Sequence, residues 1–217
     1  MRRVIDPLMK EHKMKRFALA SSLFFLVSGA ALAGASGTMV EESGKQFPAQ
    51  LLFSHAGKDY AMTLTGTATR KKMFIKVYAV AHYMQDAQQG SKDALLKEAM
   101  TDGKAKQITM TFLRDVDAGK IIDAYREGFK KNATQAEIQA IQPHIDTFCG
   151  YFAKADVKEG QQFILRWLPG GVVLTNVLGQ DKVAITDEIF ARVLWSIWLG
   201  KDSIVNTEDL VRAMIST

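Results

Sequence analysis

The chain has 217 residues, of which 47% are apolar and 24% are charged, which is ordinary for a folded domain and excludes a largely disordered chain. Four prolines and a single cysteine exclude a collagen-like protein, a disulfide scaffold and a cysteine-rich zinc module. The net charge of +5 comes mostly from residues 1–33, because without them the net charge is +1. We therefore expect no nucleic-acid partner.

Residues 1–33 have the pattern of a secretory signal peptide. Lys15–Arg16 is a short positive segment, residues 17–29 are an uncharged apolar run, and Ala31–Ala33 fits a signal peptidase site. The alternative is a membrane anchor. However, the uncharged run, which extends from Phe17 to Val40, includes Gly and Ser from Ser28 on and is weak for a span, which needs about 20 apolar residues. We expect cleavage after Ala33 and a periplasmic or secreted protein with no transmembrane segment.

Several downstream segments have the composition and alternation of β-strands. Residues 47–54 and 59–65 are separated by a turn that contains Gly57. Residues 74–84 give the strongest strand signal, with one uniformly apolar face and one mixed face, as in a sheet sealed by helices on one side. Further strands are predicted at residues 106–113, 162–168 and 172–178, the last two joined by a Pro-Gly-Gly turn.

Helical patterns interrupt and follow these strands. Thr134 and Glu137 form a capping box, and Pro143 is expected to break or kink the helix that they begin. Gly200 is typical of a helix end. The predicted helices cover residues 91–99, 117–131, 134–142, 145–153, 187–199 and 207–215. Because strands come in hairpins rather than alternating with helices, we predict an α+β fold in one domain, residues 34–217, with an antiparallel sheet covered by helices.

Motifs that carry catalysis or metal binding are not found in the sequence. The four histidines have no metal-ligand spacing, and no phosphate loop or nucleophile elbow is present. Cys149 stands in an apolar segment and is expected to be buried. We therefore expect no metal and no organic cofactor. Arg70, Lys71 and Lys72 precede the strongest strand. They are typical of a solvated hairpin tip, although an arginine is also suited to binding a carboxylate.

Three segments resemble the chalcone isomerase-like family. LTGTATRKKMFIKVYAVAHYM (Leu64 to Met84) is similar to the family's N-terminal signature, and FARVLWSIWLG (Phe190 to Gly200) is similar to its C-terminal helix. GQQFILRWLPGGVVL (Gly160 to Leu174) resembles its late hairpin. The resemblance implies an open-faced β-sandwich: a large antiparallel sheet, a helical layer and a ligand cleft between them.

The resemblance also implies a choice between two functions, because plant chalcone isomerases close a flavanone ring whereas relatives bind fatty acids without catalysis. The family's catalytic arginine matches Arg70, but the positions of its other polar groups match Tyr78, Ile121, Gly128 and Ile197. Loss of polar groups lowers the cost of burying an alkyl chain, and a retained cation fixes an anionic head. The substitutions favour binding of a fatty acid or similar amphiphilic carboxylate.

We predict that Arg70 pairs with the carboxylate and that Tyr78 donates a hydrogen bond to it. Apolar side chains are expected to line the tail site, namely Ile121, Tyr125, Trp195 and Ile197. On one straight strand, Arg70 and Tyr78 would lie about 26 Å apart, so the prediction requires a turn or bulge near residues 71–73.

Two alternatives remain at this point. One is an isomerase or intramolecular lyase in which Arg70 stabilises a phenolate or enolate. The other is an envelope interaction module without a small ligand, in which Trp195 and Trp198 form a partner surface rather than part of the core.

Overall fold

The computed structural model describes residues 37–216, and the predicted signal peptide lies outside them. The described chain contains ten strands, four α-helices and a short 3-10 helix. The strands are β1 (Met39–Glu42), β2 (Lys45–Pro48), β3 (Gln50–His55), β4 (Lys58–Lys72), β5 (Ile75–Gln85), β6 (Lys106–Phe112), β7 (Gln162–Leu168), β8 (Val172–Val177), β9 (Gln180–Asp181) and β10 (Ile185–Thr186). The helices are α1 (Lys92–Ala99), α2 (Ala118–Asn132), α3 (Gln135–Gly150) and α4 (Glu188–Leu199), and the 3-10 helix is Arg212–Met214.

Eight of these strands form one antiparallel sheet. Its order is β10-β8-β7-β6-β5-β4-β3, with β9 paired to β8. The strands β1 and β2 form a separate hairpin, which the sequence did not predict. The architecture confirms the predicted α+β class with a large antiparallel sheet and a helical layer.

The sheet packs a different core on each face. On one face, side chains such as Val80, Ile108 and Leu165 pack with the apolar sides of the helices. α4 is buried along most of its length because nearly all of its side chains are apolar. On the other face, Phe47 of the β1–β2 hairpin packs with side chains of β4 and β5. No helix within residues 37–216 is long and apolar enough to cross a membrane.

Two helix predictions differ from the structure. Pro143 does not break its helix, and α3 runs through it from Gln135 to Gly150. The buried residues Ile141, Ile145 and Phe148 lie on both sides of the proline, and their packing on the core holds the two halves in one helix. The capping box of Thr134 and Glu137 is present as predicted.

The second difference concerns the end of the chain. Residues 207–215 do not form a helix but a series of turns that contains the 3-10 helix. The carbonyl of Leu210 accepts a hydrogen bond from the Thr65 hydroxyl at 2.7 Å, and a Cβ atom at Gly66 would lie 2.1 Å from the Asp209 carbonyl oxygen. Close packing of this segment on β4 outweighs its local helical preference.

Candidate ligand-binding site

The β4–β5 hairpin places Arg70 directly beside Tyr78. The strands turn at Met73 and Phe74, so Arg70 is the cross-strand partner of Tyr78. An extra residue, Val77, forms a bulge next to this pair, between the Arg70 and Lys71 registers. Cross-strand partners project from the same face of a sheet. The turn therefore brings together two side chains that a single strand would separate.

Arg70 is half-buried and is held only by backbone carbonyls. Its Nη1 atom donates to the carbonyl of Lys71 at 2.8 Å and to that of Ile204 at 2.9 Å. Among residues 37–216, its guanidinium makes no ion pair, and Nε and Nη2 have no acceptor. These two nitrogens form the edge of a guanidinium that binds a carboxylate through two parallel hydrogen bonds.

The Tyr78 hydroxyl is buried. Its oxygen accepts a hydrogen bond from the Trp198 indole nitrogen at 3.0 Å, and no described residue accepts the hydroxyl proton. Burial raises the pKa of Tyr78 to about 12, although Trp198 and Arg70 oppose this shift. The hydroxyl therefore stays protonated near neutral pH and serves as a donor rather than as a base.

Two of the predicted tail residues lie on α2, one turn apart. Tyr125 and Ile121 are both buried. The Tyr125 ring packs edge-on against Phe148, with centroids 4.9 Å apart, and lies 6.2 Å from the Trp198 ring. Burial raises the pKa of the Tyr125 hydroxyl well above its usual range, with a further contribution from Tyr78. Tyr125 therefore lies close to the Arg70–Tyr78 pair, on its helical side.

The other two predicted tail residues are buried on α4 but have different partners. A Cβ atom at Gly128 would lie 2.9 Å from Ile197 Cδ1, so the Ile197 side chain packs directly on Gly128 where α2 and α4 approach each other closely. Trp195 packs edge-on against Trp167, with centroids 5.7 Å apart. Neither Trp195 nor Trp198 is exposed, so the alternative in which they form a partner surface is wrong and core packing is confirmed.

Sequence reasoning did not include Trp198 in the site. Its three-residue spacing from Trp195 placed both indoles on similar sides of α4, but which strand each would face depends on how the helix sits on the sheet. In the structure, both indoles face β5: Trp198 donates a hydrogen bond to Tyr78, and Trp195 donates one to His82.

A second polar group lies further along the same hairpin. Trp195 donates to His82 Nε2 at 3.4 Å, and His82 Nδ1 lies 2.7 Å from the Thr65 hydroxyl, which reaches the Leu210 carbonyl. Since Nε2 accepts, Nδ1 carries the proton and donates to Thr65. Burial, with a smaller effect of Lys106, lowers the pKa of His82 to about 3. His82 is therefore neutral.

Two cavities border the helices, and neither is lined by Arg70 or Tyr78. One of about 430 Å³ lies between α1 and residues 199–207, and another of about 240 Å³ lies between α2 and α3. The space beside the Arg70–Tyr78 pair is occupied by aromatic side chains of the core. No group of three potential metal ligands occurs in residues 37–216.

The arrangement suits recognition of an anion with an apolar body. A guanidinium edge and a protonated hydroxyl lie together, next to a layer of aromatic side chains. Cation and hydroxyl are both donors, so they complement a carboxylate or a phenolate.

Comparison with solved structures gives the same fold. A fatty-acid binding protein of Arabidopsis thaliana matches with a TM-score of 0.64 and 14% identity, over 80% of this chain and 96% of that one. Comparison with curated protein sequences gives no match. The family model described as chalcone isomerase-like matches residues 40–215, which is most of the chain. The recognised motifs, the sheet and helical layer, and this match agree: the chain belongs to the chalcone isomerase-like family.

Proposed function

We propose that this protein is exported and binds a fatty acid or a similar amphiphilic carboxylate between its sheet and helices, without catalysing a reaction. The observation that carries the proposal is the Arg70–Tyr78 pair, which lies beside a buried apolar layer. Arg70 Nε and Nη2 and the Tyr78 hydroxyl proton have no acceptor among the described residues. The similarity in fold to a fatty-acid binding protein supports it.

Binding requires the protein to open locally. Aromatic side chains fill the layer next to Tyr78, so a tail enters only if α2 and the segment after α4 move away from the sheet. The Arg70 bond to the Ile204 carbonyl would then be exchanged for one to the ligand carboxylate. Each buried methylene of the tail contributes about 0.8 kcal/mol toward this opening.

The absence of catalysis is proposed from the side chains around the pair. Ile121 and Ile197 are apolar, and Gly128 carries no side chain, at positions where the resemblance puts the polar groups of isomerases. The Ile197 side chain occupies the space beside Gly128, which leaves little room for an ordered water there. Tyr78 is kept protonated by burial. We expect no cyclisation of a chalcone above the uncatalysed rate.

Export is proposed from the pattern of residues 1–33 alone. Intact mass of protein isolated from the periplasm or medium tests it, and a mass that begins at Gly34 is the expected result.

The test of binding is a titration of delipidated protein with a fluorescent fatty acid in solution. We expect Arg70→Ala to weaken binding by about 10- to 100-fold, because a charge-assisted hydrogen bond contributes about 1.5–3 kcal/mol. Arg114→Ala is the matched control, since Arg114 is exposed and lies outside the site. Equal affinity of the wild type and Arg70→Ala would refute the assigned site. A wild type that binds no acyl chain, in titration or in native mass spectra, would favour the ligand-free module.

A further inference from the structure

The turn of the β4–β5 hairpin exposes three consecutive large apolar side chains. Phe74 is 98% exposed, Met73 86% and Ile75 50%. Elsewhere in the described chain, exposed large apolar residues such as Val183 and Leu52 are separate in sequence. Isolated apolar residues are ordinary on a protein surface, whereas adjacent ones form a patch that indicates an interaction site.

Lysines flank this patch on both strands. Lys71 and Lys72 precede it and Lys76 follows it, and Lys71 and Lys76 are cross-strand partners. Lys76 contacts the Ser43 hydroxyl at 3.1 Å, and none of the three has a carboxylate partner within residues 37–216. Like charges opposite each other destabilise a strand pair. We call residues 71–76 the hairpin tip.

The backbone of the hairpin tip also departs from ordinary turn chemistry. Met73 has a φ of 56°, in the left-handed region where Gly, Asn and Asp are favoured. Met73 therefore combines a strained backbone with an apolar side chain that is 86% exposed. Residues that break a local rule in this way occur preferentially at functional sites.

We propose that the hairpin tip docks on an anionic lipid bilayer. Phe74, Met73 and Ile75 insert at the headgroup level, and the three lysines contact lipid phosphates. A bilayer surface has an anionic headgroup layer over an apolar acyl layer. The lysines complement the headgroups, and the exposed apolar side chains between them complement the acyl layer. A nucleic acid would use the lysines but not the solvated aliphatic side chains.

The position of the tip gives docking a role that rests on the proposed function. Arg70 precedes Lys71 directly and lies at the base of the tip. A tip held at the headgroup level therefore brings the carboxylate site within one or two residues of the lipid surface, where fatty acids partition. The site would collect its ligand from the bilayer.

Phe74→Trp provides a local probe of insertion. The native Trp167, Trp195 and Trp198 are at most 1% exposed, so the introduced indole is the accessible one. Vesicles of phosphatidylglycerol that contain brominated acyl chains should quench its emission and shift it to the blue. Val183→Trp is the control, because Val183 is 78% exposed at another loop, and it should not be quenched.

Lysine substitutions measure the electrostatic part. Each lysine near an anionic surface contributes about fivefold in affinity, so the triple variant Lys71→Gln, Lys72→Gln, Lys76→Gln should bind vesicles about 100-fold more weakly. The double variant Lys130→Gln, Lys154→Gln removes exposed charge elsewhere and should bind nearly as the wild type does. All variants share one N-terminus, verified by intact mass, so any contribution of residues 1–33 cancels.

The outcomes separate this proposal from the proposed function. If Phe74→Trp is not quenched by anionic vesicles in excess, docking is overturned, whatever the fatty-acid titration gives. Equal quenching by neutral phosphatidylcholine vesicles would overturn the role of the lysines. A tip variant that keeps its affinity for fatty acid in solution but loses transfer from vesicles supports docking, as does quenching that persists in Phe74→Trp combined with Arg70→Ala.

Discussion

Two regions of the β4–β5 hairpin have the same arrangement of hydrogen bonds but differ in how many of their donors and acceptors have partners. In each, an indole of α4 donates to a β5 side chain, and a β4 side chain donates to a carbonyl of the C-terminal segment. Thr65 and His82 form the first region, which we call the closed cluster. Arg70 and Tyr78 form the second, which we call the open pair.

The closed cluster satisfies its buried donors and acceptors internally, whereas the open pair leaves some of its donors without an acceptor among residues 37–216. His82 and Thr65 are 0% and 1% exposed and form one chain of hydrogen bonds from Trp195 to the Leu210 carbonyl. Arg70 is half-buried, and its Nε and Nη2 atoms have no acceptor among residues 37–216. The Tyr78 hydroxyl proton has no acceptor among them either. A satisfied buried network fixes a fold. We therefore attribute a role in stability to the closed cluster, and the open donors of Arg70 and Tyr78 support the proposal that the open pair binds a ligand.

The largest expected effect is acid destabilisation through the closed cluster. The folded pKa of His82 is about 3 and the unfolded value is about 6.5, so below pH 6.5 the unfolded state takes up a proton that the folded state does not. Its contribution to stability is present above pH 6.5 and is lost as the pH falls toward 3. The loss is about 3 kcal/mol by pH 4, at about 1.4 kcal/mol per pH unit.

Urea unfolding at pH 7 and pH 4 measures this effect in the wild type and in His82→Gln. The carboxylates titrate in both proteins, so the difference between them isolates the histidine. Identical losses of unfolding free energy in the two proteins would show that His82 is protonated without unfolding.

Removal of the Thr65 hydroxyl is expected to have an effect of similar size. Thr65→Val keeps the shape but leaves the Leu210 carbonyl and the His82 Nδ1 proton without partners, which costs about 3 kcal/mol for two buried groups. Fatty-acid affinity should not change. Thr63→Val, on the same strand, is the control and should cost about 0.5 kcal/mol or less. A change in affinity as large as that of Arg70→Ala would contradict the separation of the two regions.

Sequence patterns were sufficient for the strands of the large sheet from β3 to β8 and for most helices, because these depend on local alternation and caps, but they did not predict the β1–β2 hairpin. Residues 74–84 were predicted as a strand and correspond to β5, and the capping box that begins α3 was predicted at Thr134 and Glu137. The end of the chain was not predictable from propensity, since the Leu210 carbonyl and Gly66 hold it by contacts between distant residues.

The candidate site could be predicted only in part. Arg70 and Tyr78 followed from a resemblance, and the turn that joins them was recognised as a requirement. Trp198 was missed because its contact with Tyr78 spans 120 residues and depends on how α4 sits on the sheet. Ile197 was assigned to the tail site from its position in the family pattern, whereas the structure pairs it with Gly128.

A smaller effect is expected at the open pair. Tyr78→Phe leaves only the Trp198 indole proton without a partner, so the free energy of unfolding should fall by about 1–2 kcal/mol. Binding of fatty acid should weaken about tenfold, because one hydrogen bond to a charged group is lost. Tyr60→Phe, in the core on the opposite face of the sheet, should leave affinity unchanged. A Tyr78→Phe protein with full affinity would leave Arg70 alone as the head-binding residue.

The smallest effect tests the hairpin tip against a matched turn. Met73→Asn relieves a left-handed backbone at φ 56°, and Ala56→Asn does the same at φ 50° in the β3–β4 turn. Each should raise the free energy of unfolding by about 0.5–1 kcal/mol, because Asn tolerates this conformation better than Met or Ala. Only Met73→Asn should weaken binding to anionic vesicles, since it alone removes an apolar side chain from the tip. If both variants bound vesicles equally well, the strain at Met73 would have no connection with docking.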